Sequence, residues 1–204
     1  MQSRSVRPGR YLVPMRWFSS DFHLGHSRIL EFEREARPFD DLEEMWQAML
    51  DRFNSRIGPD DELYLNGDTA FNDRWARRLA TEMNGRITLG AGNHDPFFQR
   101  RSAAKIAKAK RLYLDMGFAD VVDGAEMVLA DGTPVLVNHF PYYGDHTTDE
   151  RYNEYRCRDD GMWLICGHIH SMWRTLDRMI NVGVDVWDLT PVSEDQIIEI
   201  IRAA

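Results

Sequence analysis

The sequence predicts a layered α/β domain in which helices cover the faces of β-sheets. Short apolar or β-branched runs recur along the chain, at Met15 to Phe18, Leu63 to Leu65, Ile87 to Leu89, Val135 to Val137 and Trp163 to Cys166, and these read as strands. Helical patterns separate the early runs, whereas strand-like runs crowd the second half, an alternation that favours sheets covered by helices. Each run is followed by a short polar cluster, and in open α/β sheets the ligand crevice lies beyond the carboxyl ends of strands.

Met1 to Pro14 is polar and basic and lacks the apolar stretch of a secretory signal, so residues 1–14 are expected to be an extension and residues 15–204 one domain. Met15 directly precedes the first strand and is a candidate alternative start, which full activity of a chain beginning there would support. The first long helix is expected over Leu42 to Ile57, where Leu42, Met45, Trp46, Met49, Leu50 and Phe53 follow helical spacing behind Asp40 and Asp41. A second is expected over Trp75 to Met83. Between Arg100 and Arg111 six cations occur without an acid; a solvated helix face is the favoured reading over a surface that steers phosphate-rich substrates. The chain closes on a helix, because Ser193-x-x-Gln196 is a capping box ahead of Ile197, Ile198, Ile200 and Ile201. No internal repeat or low-complexity linker interrupts this order.

With 204 residues and 43% hydrophobic content, the chain can bury one sizeable core and is short for two enzyme domains. No apolar run approaches 18 residues and mean hydropathy is −0.49, which argues against a membrane span and for a soluble protein. Cys157 and Cys166 are the only cysteines, so reduced thiols and the cytoplasm are expected. A net charge of −8 gives no general attraction to polyanions, and nucleic acid is not favoured as a partner.

Five clusters carry the chemistry: Asp21-x-His23, Gly67-Asp68, Gly92-Asn93-His94-Asp95, Asn138-His139 and Gly167-His168-Ile169-His170. Of seven histidines, six lie in or beside them, a concentration that packing alone does not explain. Period-two geometry at a strand end would point Asp21 and His23 the same way, and likewise His168 and His170. A carboxylate can bridge two cations, which suits Asp68 after the tight exit at Gly67, and Asn93 with His139 would complete a second site. Two divalent ions against two carboxylates leave about +2, enough to favour a hydroxide and a phosphate anion. Ions roughly 3.5 to 4 Å apart acidify a bridging water and stabilise both oxygens of an in-line displacement. The expected reaction is phosphoester hydrolysis.

These motifs, in this order, resemble the calcineurin-like metallophosphoesterase family over roughly residues 15 to 190. The resemblance implies that Asp21, His23, Asp68 and His170 hold one metal and Asp68, Asn93, His139 and His168 the other. It implies a catalytic role for Asp68 and His94, with His94 contacting phosphate or protonating the leaving group and Asn93 facing the substrate beside it. His26, after Leu24-Gly25, is expected at the crevice rim in contact with substrate, with a helix cap or an exposed histidine as the alternative. The implied fold is an α/β/β/α sandwich of two mixed β-sheets flanked by helices, and the implied cofactors are two divalent ions, manganese first, iron or zinc otherwise. The tail Val182 to Trp187 with Pro191-Val192-Ser193 resembles small single-domain bacterial and phage members. The expected activity is that of a phosphodiesterase on nucleotides or other small phosphoesters, using a metal-bridged hydroxide. Phosphomonoesterase, nuclease and a metal-binding scaffold without turnover are the alternatives. One departure is visible: many members carry an acid three residues after the bridging Asp, where this chain has Phe71, leaving Asp95 or Asp73 to orient His94.

Other residues receive plainer readings. His146, within Gly144 to Asn153, is taken as exposed, with a substrate-facing loop as the alternative. Trp163, Cys166, Met45, Trp46 and Met49 belong to the core. Asp185 and Asp188 either orient metal-bound imidazoles or cap loops.

Overall fold

The structure, a computed structural model, describes residues 14–204, so the extension expected over residues 1–14 lies outside the described residues save for Pro14. In chain order the elements are β1 (Arg16–Ser19), α1 (Ile29–Phe32), α2 (Leu42–Asn54), β2 (Glu62–Leu65), α3 (Asp73–Glu82), β3 (Arg86–Gly90) and α4 (Ala103–Met116). There follow β4 (Asp120–Val122), β5 (Ala125–Val128), β6 (Pro134–Val137), β7 (Trp163–Cys166), β8 (Thr175–Leu176), β9 (Met179–Asn181), β10 (Val192–Ser193) and α5 (Glu194–Ala203).

Two mixed five-stranded sheets result, ordered β10-β1-β2-β3-β4 and β5-β6-β7-β9-β8, as the two-sheet sandwich implied. In the first, β1 to β4 run parallel, with Leu63 opposite both Trp17 and Ile87, and β10 closes the edge antiparallel. Parallel neighbours need crossovers, and helices supply them, which is why strand and helix alternate in the first half. In the second sheet β6, β7 and β9 are parallel, flanked by antiparallel β5 and β8. The isolated pairing of Ser20 with Gly183 links the end of β1 to the second half of the chain.

Sequence-encoded caps set the helix starts. Asp41 accepts from the amides of Glu43 and Glu44, both at 2.9 Å, and opens α2. Ser193 and Gln196 form the expected capping box of α5. The helix anticipated to Ile57 stops at Asn54, whose side chain instead bonds the carbonyl of Glu82 and the amide of Asn84. Ile57 is buried all the same, its amide reaching the Phe53 carbonyl at 2.9 Å.

Alternation along β1 assigns the cores. Trp17 faces a cluster with Met45, Trp46, Met49 and Phe53 of α2, Leu79 of α3 and Tyr113 of α4, under which Leu63, Leu65, Ile87 and Leu89 lie. Phe18 faces the other way, into a second cluster with Val135, Val137, Ile165, Ile180 and α5's Ile197 and Ile198. This layer joins the two sheets. No helix among the described residues is long and apolar enough to cross a membrane.

Candidate metal centre

The five clusters converge where the strands of both sheets end. Asp21, His23, Asp68, His168 and His170 all have φ between 48° and 73°, the left-handed region that non-glycine residues seldom adopt and that concentrates at functional sites. This changes the reason expected for the paired directions of Asp21 with His23 and His168 with His170. β1 ends at Ser19 and β7 at Cys166, so tight left-handed turns beyond the strands, rather than the pleat, aim both pairs inward. The amide of Asp21 donates to the Gly67 carbonyl at 3.1 Å and that of His23 to the Asp68 carbonyl at 2.9 Å, locking the turns together. Gly92 lies against Asp68, and a Cβ there would overlap the carboxylate.

Within the convergence, Asp68 Oδ2 lies 3.6 Å from His23 Nε2 and 3.5 Å from His139 Nε2, while Asp21 Oδ1 lies 3.9 Å from His23 Nε2. Two triads, Asp21 with His23 and His170, and Asp21 with Asp68 and His139, each present donor atoms within 4.8 Å of one another. Asp21 Oδ1, His23 Nε2, Asn93 Oδ1 and His139 Nε2 are buried without a hydrogen-bond partner. Buried donors and acceptors are paired as a rule, and orphans on residues of three of the clusters, two of them against Asp68, fit ligands to cations. Electrostatics agrees: burial holds His23 well below its ordinary pKa, available as a neutral ligand. His139 differs: burial opposes its charge, but the adjacent Asp68 carboxylate outweighs it and lifts the ring to about 9, so a cation would take the place of the Nε2 proton. Asp68 itself is held far below the carboxylate range against its burial, by His139 first.

A supporting shell fixes the imidazoles. His139 Nδ1 lies 2.8 Å from the Asn66 carbonyl and so carries the proton, leaving Nε2 for the centre. His170 Nδ1 donates to Asp185 Oδ2 at 2.9 Å, and Asp185 is gripped by the fully buried Arg37. Arg37 also donates to the carbonyls of Asp21 at 2.6 Å and Phe22 at 2.8 Å. One guanidinium thus ties the Asp21 turn to the His170 turn. His168 Nε2 donates to Asp145 Oδ2 at 3.1 Å, and burial keeps the ring neutral, with its pKa down at about 3.

Asp185 therefore takes the imidazole-orienting role rather than loop capping, whereas Asp188 makes no such bond. Arg37 and Asp145 were not anticipated. Arg37 is hidden in the charged run Glu31 to Arg37, where an exposed arginine is the ordinary expectation, and Asp145 has only its place in a polar stretch.

His94 sits exposed at the mouth, its amide donating to Asp68 Oδ1 at 2.9 Å and its ring 5.4 Å from that of His23. Neither proposed acid orients it. Asp95 is buried and accepts from the amides of Asp68 and Gly92, both at 2.8 Å, and from Thr69; burial and the Asp68 charge push it up to about 7. Asp73 begins α3. Phe71 itself stacks on His94 at 5.1 Å and on His26 at 4.5 Å, a three-ring ladder that sets His26 beside the exposed His94. His146 is exposed, as read, and its ring also lies 5.2 Å from that of His168 and 5.5 Å from that of His170.

A two-sheet sandwich whose strand ends pool carboxylates, imidazoles and a carboxamide, with orphaned donors, defines a metal-dependent hydrolase of phosphate esters. The family model for calcineurin-like phosphoesterases matches residues 16–172, and the chain belongs to that family. Similar proteins include the Gene 66 protein of Mycobacterium phage L5, 36% identical over 201 residues, 91% of this chain and 93% of the relative. That of phage D29 is 35% identical over 193 residues, 87% and 92% of the two chains. Among solved structures, AQ665 from Aquifex aeolicus shares the fold with a TM-score of 0.69 at 24% identity, over 92% of this chain and all of that one, 100%.

Proposed function

We propose that the chain is a dinuclear phosphodiesterase acting on nucleotides or other small phosphoesters, with residues 15–204 as its one catalytic domain, working in the cytoplasm. Asp21, His23, His170 and one oxygen of Asp68 would hold one cation, and Asp68, Asn93, His139 and His168 the other. The observation that carries this reading is the set of buried, unpartnered atoms on Asp21, His23, Asn93 and His139, with His23 and His139 against Asp68. Manganese, iron or zinc suits such a mixture of ligands, manganese being the first expectation.

When bound, two divalent ions supply Lewis acidity, lowering the pKa of water and offsetting charge on phosphoryl oxygens. Asp21 and Asp68 offset half of their charge, leaving about +2, the charge that an anionic nucleophile and a diester monoanion balance. Asp68, 3.6 Å from His23 Nε2 and 3.5 Å from His139 Nε2, would be shared by both donor groups. His94, exposed at the mouth and held through its amide, has a ring free to donate to a phosphoryl or departing oxygen. Asn93, next to His94 in the chain, would face the substrate with it, and His26 stacked on Phe71 would border the same space.

The test is to strip the protein of metal, reload it with manganese and assay bis(p-nitrophenyl) phosphate beside p-nitrophenyl phosphate, with Asp68→Asn as control. Metal-dependent diester cleavage that the variant loses is the expected result. Bound metal with no turnover of either ester would overturn the reading in favour of a binding scaffold.

A further inference from the structure

The loop after β6 folds back over the centre, and its arrangement goes beyond supporting the ligands. Asp145 is buried on it, its side chain fully shielded, between His168 on one side and Arg151 on the other. Arg151 grips the carboxylate side-on, with Nη2 donating to Oδ1 at 2.8 Å and Nε to Oδ2 at 3.3 Å. The same Nη2 donates to His146 Nε2 at 3.0 Å, and His146 Nδ1 lies 3.1 Å from the His168 carbonyl, to which it donates. These bonds settle the His146 tautomer and leave both its nitrogens engaged. Its ring is therefore a wall of the site.

The grouping of Asp145, His146 and His168 has the spacing of a third cation site, but the Arg151 guanidinium already lies among these atoms as their positive partner. A metal there would meet a fixed charge of its own sign. The local balance points to an anion instead. Arg151 and Arg156 bring two positive charges against the single Asp145 carboxylate, Arg156 Nη2 lying 3.9 Å from it. Arg156 is almost wholly buried and spends its donors on the carbonyls of Pro141 and Arg151. Arg151 is different: its side chain is 40% exposed, and among the described residues its Nη1 donates to nothing. The remaining acids of the loop, Asp149, Glu150, Glu154, Asp159 and Asp160, are exposed, where solvent screens them, and the last two are paired with Arg178 and Arg158.

We propose that Arg151 is a specificity-determining residue of the site, its free Nη1 edge taking a non-bridging oxygen of the substrate phosphate at the mouth of the metal centre. The inference rests on the phosphoesterase reading above and names a residue that reading does not use. Asp145 is the hinge of the arrangement. It holds a ligand imidazole with one oxygen and aims a guanidinium with both, so substrate recognition and the ligand set share one carboxylate. A planar guanidinium fixed along one edge presents its other edge in a set direction, which suits phosphate better than a flexible ammonium.

The experiment titrates inorganic phosphate into the manganese-loaded full chain by calorimetry, for the wild type, Arg151→Gln and Arg151→Lys, with bound manganese measured for each. Steady-state kinetics on bis(p-nitrophenyl) phosphate accompany it. Arg151→Gln should weaken phosphate binding and raise KM by about tenfold or more, as for loss of a charge-assisted hydrogen bond. Its manganese content should stay at the wild-type level and kcat should change much less than KM, with Arg151→Lys falling between. Unchanged phosphate affinity in Arg151→Gln, beside a wild type that binds phosphate, would overturn the proposal alone. Parallel loss of manganese would also overturn it, assigning Arg151 to the support of His168. A wild type that holds manganese but neither binds phosphate nor cleaves the ester would overturn the phosphoesterase reading and this one together.

Discussion

Arg37 donates to both oxygens of Asp185, from Nε to Oδ1 at 2.6 Å and from Nη2 to Oδ2 at 2.9 Å, and neither side chain reaches solvent. This pair connects residues 148 apart in sequence and stands directly behind His170. Burial disfavours the charged Asp185, yet the guanidinium holds its pKa well below the carboxylate range, so the pair is ionic.

Replacing Arg37 with Met should leave Asp185 charged, buried and without its guanidinium. Removing one partner of a buried pair costs about 3–5 kcal/mol, and here the Asp21 and Phe22 carbonyls lose donors as well. Urea denaturation of Arg37→Met is the measurement; a loss below about 1 kcal/mol, within the range of exposed pairs, would mean that water reaches Asp185.

Asp185→Asn keeps the shape and removes the charge that makes the His170 ring a strong donor to a cation. Supporting partners of this kind are worth about 10–100-fold in metal affinity. Competition against a chromophoric chelator should find manganese weakened by that factor, with folding retained. Wild-type affinity in the variant would reduce Asp185 to a packing residue.

Asp68 and His94 should separate when substituted. Asp68→Asn should reduce turnover by about three orders of magnitude or more, the loss expected of a carboxylate that would serve both cations of the proposed centre. His94→Ala should retain metal, its ring lying outside the donor triads, and lose about 10²-fold or more with poor leaving groups but far less with p-nitrophenolate. Equal losses across a leaving-group series would show that His94 binds phosphate without donating a proton.

Gly92→Ala forces a methyl group onto the Asp68 carboxylate. The backbone cannot yield easily, since the Gly92 amide is bonded to buried Asp95 at 2.8 Å. Manganese content should fall below half while the far-ultraviolet circular dichroism stays that of the wild type, because Gly92 lies in the turn beyond β3 and in no helix or strand. Full metal content would place Gly92 further from the donors than its neighbours indicate.

Much of this was legible in the sequence because strand, turn and ligand are encoded together. The apolar runs before Asp21, Asp68, Asn93, His139 and His168 are strands, and Asp41 and Ser193 cap helices as their spacing implies. The directions of the ligand pairs were inferred from the pleat, but the left-handed turns that produce them carry no periodic signal. Arg37, Asp145 and Arg151 were invisible for a related reason: their roles depend on partners that only the tertiary fold brings near. Arg37 meets Asp185 across the sandwich, and Arg151 meets His146 and Asp145 through one loop's path. His146, read as an ordinary exposed residue, gains its place from that same path. Phe71 looked like a missing acid; in the fold it is a stacking partner of His94.

The donors are divided between the two sheets: Asp21, His23, Asp68 and Asn93 follow strands of the first, and His139, His168 and His170 follow strands of the second. An ion gripped by Asp21, His23 and His170 is then a rivet through the sandwich. Only Asp123 and Gly124 join the last strand of one sheet to the first strand of the other, while β10 and α5 cross back to β1. Severed at that joint, the chain becomes two interlocking pieces, and their reassembly should report the presence of the ion without any reference to catalysis.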